Sequence, residues 1–310
     1  MELYNKTELR KTSNGIGFYI FTIILTMYFV SIAASVISSA VSGSSGNIAI
    51  LLIDNMASIV SMFIIGIFYC MLSRTELNNV LPLKKVNGSL LFKTVMVALA
   101  VAFISDYFTE MFVSGVSLFG IQNKVEMSYE SNGIVDNILY IISIAVIPPL
   151  TEEFAFRGII LGKLRKFGDS FAILMSAFLF GLLHGNIVQI PFAFIIGIVF
   201  GFITIKTSSL IPAMITHFLV NCSSVIVSLI YENNLIDKNI CDIFYSSFVL
   251  IVFILGIIST ILLSKDKEFF KLKEYEGAPF KERVKQMFST VGIICALALM
   301  VVETIISVLL

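Results

Sequence analysis

The feature that most constrains this chain is a succession of apolar runs, each near the length that crosses a bilayer. They fall at 16–40, 48–73, 89–113, 135–163, 169–186, 188–206, 208–231, 242–264 and 289–310. A spanning helix needs about 20 predominantly apolar residues, and within lipid only a helix or a closed barrel satisfies its own backbone. The predicted fold is therefore all-α, a polytopic transmembrane helix bundle of about 8–9 spans. Composition agrees: 57% of residues are hydrophobic and 14% charged, against about 25% charged in soluble domains. Mean hydropathy is +0.96.

Basic and acidic residues balance at 21 each, which removes the electrostatic footprint of a nucleic-acid binder. Four cysteines, Cys70, Cys222, Cys241 and Cys295, form no CxxC pair or disulfide framework. Lysine and arginine alternate in density along the chain. Lys6, Arg10 and Lys11, then Arg74, Lys84 and Lys85, then Lys163, Arg165 and Lys166, then Lys206, precede a basic stretch between Lys265 and Lys285. The intervening loops hold only Lys124 and Lys238 among acids such as Glu126, Glu130, Glu232 and Asp237. By the positive-inside rule this predicts a cytoplasmic N-terminus. The first apolar run is too long for the core of a signal peptide, so it is expected to remain as a span.

Three regions are expected: residues 1–135 with three spans, a core over 136–231, and 232–310 with a polar connector at 265–287. The alternating charges Lys267, Glu268, Lys271, Lys273 and Glu274 suggest a solvated interfacial helix in that connector. Residues 115–133 read as a loop on the opposite side, able to cover an internal pocket.

Ionisable groups inside spans are costly and ask for a reason. The richest cluster, Thr151-Glu152-Glu153-Phe154-Ala155-Phe156-Arg157, follows Pro148-Pro149 directly. Glu153 and Arg157 are four apart and can pair on one helix face. Glu152 points about 100° away and is expected to be the unpaired carboxylate facing a cavity. Both histidines of the chain lie in apolar runs: His184 closes Phe180–His184, and His217 shares a face with Asn221. Counted from the ends of their runs, Glu152, His184 and His217 lie about 16, 24 and 14 Å deep. Three spans can then present a carboxylate, two imidazoles and an amide to one pocket.

That set suffices for peptide hydrolysis. Glu152 with His184 would activate water, and His217 with Asn221 would stabilise an oxyanion. Alternatively Glu152, His184 and His217 would bind zinc with a fourth position for water, although HExxH is absent. Asp54, Asp106 and Glu110 are expected near an interface. Glu303, deep in the last run, reads as a protonated, hydrogen-bonded group or helix contact.

EExxxR at Glu152–Arg157, FxxxH at Phe180–His184 and HxxxN at His217–Asn221 together resemble the CPBP family of intramembrane peptidases. This is the CAAX-protease and bacteriocin-processing group, which includes the Rce1-type endopeptidases. The resemblance covers about 145–225. It implies an intramembrane protease, metal-dependent or metal-free, with Glu152, His184, His217 and Asn221 catalytic and Glu153 and Arg157 supporting them. It implies a peptide or membrane-tethered protein as partner, CAAX-type processing or bacteriocin maturation and self-immunity as setting, and zinc as the candidate cofactor. The excess of lysine over arginine, with abundant isoleucine and asparagine, suggests a bacterial cell membrane. A non-catalytic scaffold or immunity protein, or a proton-coupled transporter, are the competing readings of the same residues.

Overall fold

Lipid leaves a backbone no partner but itself, and the apolar runs accordingly become helices. The computed structural model describes residues 6–40, 44–118, 133–233 and 235–309. In chain order the helices are α1 (Lys6–Ala40), α2 (Leu51–Leu72), α3 (Gly88–Ser117) and α4 (Ile134–Phe167). They continue with α5 (Asp169–Leu183), α6 (Gln189–Thr207), α7 (Ile211–Glu232) and α8 (Lys238–Ser264). A short amphipathic α9 (Phe280–Phe288) leads into α10 (Val291–Leu309). The chain is a multi-pass membrane protein: 8 of these helices are long and apolar enough to cross a bilayer.

The expected fifth span is the exception. It yields only the 15 residues of α5, about 22 Å against a hydrocarbon core of about 30 Å. The physical reason is Gly185, whose φ of +57° breaks the helix and leaves His184 as the cap residue. Asn186 then caps the return: its Oδ1 accepts from Val188 N at 2.8 Å. The resulting α5–α6 hairpin packs tightly, because a Cβ on Gly197 would lie 2.9 Å from Ala177. Small residues permit such backbone approach between membrane helices.

Segments bearing lysine and arginine meet at one end of the bundle. Leu83 bridges to Ser209, and Leu210 N donates to Pro82 O at 2.8 Å. Lys163 Nζ donates to Ser73 Oγ at 2.8 Å, Lys166 pairs with Glu8, and Arg283 donates to Phe167 O. The chain between Lys265 and Glu276 forms turns and extended backbone, not the expected helix. Beside turn bonds of its own, such as Phe269 N to Asp266 O, it is held from other elements: Lys206 donates to the carbonyls of Glu268 and Lys271, and Lys273 N donates to Asp169 Oδ2 at 3.1 Å. Those contacts hold it open. The expected covering loop falls mostly at 119–132, outside the described residues.

Two large apolar clusters and a smaller one around Tyr140, Val225 and Leu229 hold the described part of the bundle. One large cluster joins α1, α4, α5 and α10 through Ile16, Ile20, Phe156, Phe171 and Ile293. The other large one joins α3, α6 and α8 through Leu99, Phe103, Phe200 and Val252. Large apolar side chains such as Phe29 and Phe244 point outward, as a lipid-facing surface requires.

Candidate active site

Helix α4 is broken where the site is built. Its ladder shifts to i→i+5 bonding over Ile142–Val146 and again over Phe154–Ile160. Such π-turns recur at functional sites. Pro148 and Pro149 lack the N–H groups that would reach Ile144 O in either helical register. Asn221 on α7 supplies the missing donor: its Nδ2 lies 2.9 Å from Ile144 O. The amide that reads in sequence as a candidate oxyanion donor thus also ties α7 to α4, and keeps one further N–H.

Glu153 is fully buried and bridges two helices. Its Oε1 accepts from Arg157 Nη1 at 3.1 Å and from His217 Nδ1 at 2.9 Å. This pairing expected at four-residue spacing is present, with a second partner that the spacing did not indicate. Arg157 is held between rings, 4.1 Å from the Phe180 centroid and 5.3 Å from that of Phe200. Donating Nδ1–H to a carboxylate fixes the orientation of His217 and directs Nε2 toward Glu152, 3.8 Å from its Oε2. Glu152 thus has the His217 ring on one side, at a separation beyond hydrogen bonding.

On its other side Glu152, 18% exposed, opens into an interior cavity of about 390 Å³. His184 lines the same cavity. Its Nδ1 lies 2.9 Å from Phe180 O; with the proton on Nδ1, the Nε2 lone pair is left for a proton from the cavity. FxxxH spacing has a direct purpose here, since the residue four before the histidine supplies the orienting carbonyl.

Asp54 of α2 and Glu303 of α10 also line this cavity. In sequence they read as an interfacial acid and a helix contact. Glu303 packs on the backbone of Gly185, where a Cβ would meet its carboxyl carbon at 2.5 Å. An acid deep in the last span with no basic neighbour was the one sequence signal that could have placed it here.

Among the described residues, no three His, Cys, Asp or Glu side chains group as a metal site. His217 Nδ1 is engaged by Glu153 and its Nε2 faces Glu152, while His184 stands on the cavity wall. The candidate zinc set Glu152, His184 and His217 is not assembled in this arrangement.

The all-helical bundle defines a multi-pass membrane protein with a cavity lined by Glu152, His184, Asp54 and Glu303. Residues 134–223, α4 to α7, match the family described as Type II CAAX prenyl endopeptidase Rce1-like. The chain is similar to "Putative membrane peptidase YdiL" of Bacillus subtilis (strain 168), with 27% identity over 143 residues, 44% of this chain and 59% of that protein. It is also similar to "Membrane-embedded CAAX protease MroQ" of Staphylococcus aureus (strain USA300), with 31% identity over 99 residues, 30% of this chain and 40% of that protein. The matches thus span less than two thirds of either relative. No solved structure matches.

Proposed function

We propose that the chain is an intramembrane endopeptidase hydrolysing a peptide bond in a membrane-associated peptide or protein. The observation that carries this reading is the shared cavity: Glu152 of α4 and His184 at the end of α5 open into one hollow of about 390 Å³, which Asp54 of α2 and Glu303 of α10 also line. Similarity of residues 134–223 to CAAX-type endopeptidases supports it. In this reading a water in the cavity attacks the scissile carbonyl carbon and gives its proton to Glu152 or to His184 Nε2. The developing oxyanion is met by N–H groups of His217 and Asn221. Donation by His217 requires its imidazolium form, since Nδ1 already donates to Glu153. Collapse of the tetrahedral intermediate breaks the C–N bond, and the stored proton passes to the leaving amine. A carboxylate and an amine result, with no redox partner. The substrate is of the CAAX C-terminal or bacteriocin-precursor kind that the resemblance implies.

The test is cleavage of a membrane-anchored reporter peptide in proteoliposomes. Glu152→Gln is expected to lower turnover by about 10²–10⁴-fold, the usual contribution of a positioned acid–base group. Unchanged turnover would remove the mechanism. A phenotype that survives loss of both Glu152 and His184 would favour a non-enzymatic scaffold.

A further inference from the structure

A larger cavity lies on the other face of α1. It measures about 920 Å³ against 390 Å³ for the chamber holding Glu152. It is bounded by the first half of α1, the end of α2 and the end of α4. Gly15, Phe18 and Thr22 line it, whereas Ile24, Tyr28 and Ser31 line the inner chamber; at 100° per residue these are opposite sides of one helix.

The cavity changes character along its length. Four cations, Lys11, Arg74, Lys163 and Lys166, stand at its mouth with one acid, Glu8. Glu8 pairs with Lys166. Half-buried Lys163 has its ammonium on two hydroxyls, Ser73 and Thr75, and 4.8 Å from the Tyr69 ring centroid. Among the described residues no carboxylate pairs with it. Arg74 has φ +50°, at the left-handed position that ends α2, where glycine is the usual residue. Its side chain is exposed at the mouth. The apolar part of the wall includes Phe18, Phe68 and Leu72, which are 44%, 57% and 69% exposed. In a spanning helix such exposure means an opening toward acyl chains, not toward water.

We infer that this cavity is a binding site for an anionic phospholipid, with its phosphate among Lys11, Arg74 and Lys163 and an acyl chain along Phe18, Phe68 and Leu72. A basic pocket between spans at the bundle's polar end has the charge that captures anionic headgroups. The lateral opening favours a lipid from the bilayer over a soluble anion, for which apolar walls would be a liability. The inference is independent of the peptidase reading.

The full chain, in nanodiscs of phosphatidylcholine, would be titrated with phosphatidylglycerol and retained lipid counted by native mass spectrometry. Preferential retention of phosphatidylglycerol is expected. Arg74→Gln and Lys163→Gln should each weaken it about fivefold, leaving phosphatidylcholine retention and helicity unchanged. Arg74 is exposed, so its variant tests the idea without risk to folding. Equal retention of both lipids by the unaltered chain, or the same preference in both variants, would overturn the proposal. Displacement of phosphatidylglycerol by millimolar inorganic phosphate would do so too, by showing a soluble-anion site.

Discussion

Glu152 and Glu153 are neighbours in the chain and occupy opposite environments. Glu153 is sealed between α4 and α7, with Arg157 and His217 as partners and two phenylalanine rings over the guanidinium. Glu152 faces a hollow large enough for water and shares it with His184, Asp54 and Glu303. The dry side holds groups in place, and the hollow side leaves them room to exchange protons. One step of about 100° along a helix separates a sealed carboxylate from one that opens on a cavity.

The largest effect that would sharpen this contrast is in activity. Glu152→Gln should remove about 10²–10⁴-fold of turnover while thermal unfolding in detergent stays within about 0.5 kcal/mol of the parent. A parallel loss of stability would erase the distinction. On the dry side, Arg157→Met leaves Glu153 buried without its cation and should destabilise by about 3–5 kcal/mol. The double variant Arg157→Met with Glu153→Gln should be milder than Arg157→Met alone, and a full double-mutant cycle measures that coupling. Asn221→Leu leaves Ile144 O without its donor, at a cost of about 1–3 kcal/mol seen in the same unfolding assay. The smallest effect is Glu303→Gln, expected within about 0.5 kcal/mol of the parent because its carboxyl already borders the cavity. A chelator is expected to leave turnover in the reporter assay unchanged, given that no trio of ligands is assembled among the described residues; stoichiometric zinc in the purified chain would contradict this.

Much of the site was legible in sequence because its geometry is local. Glu153 with Arg157 and Phe180 with His184 meet at four-residue spacing, which any helix delivers. Span positions were legible for the same reason, since apolar length is written along the chain. The short connection after α5 was legible in Gly185-Asn186-Ile187, whereas the left-handed φ of +57° at Gly185 that makes the turn was not. Asp54 and Glu303 reach the chamber only through the packing of α2 and α10, far apart in sequence. The stretch 265–276 misled: its alternating charges fit a helix, but Lys206 and Asp169 hold its backbone from other elements.

The clasp of Asn221 on Ile144 reaches beyond local bonding. A proline pair has left α4 with a carbonyl that α4 cannot satisfy, and a neighbouring span completes it. Inserted without α7, α4 keeps an exposed defect in oil; with α7 seated, the defect closes as His217 arrives beside the two glutamates. Seating α7 thus fills the backbone gap of α4 and sets His217 against Glu152 and Glu153 through one and the same helix contact.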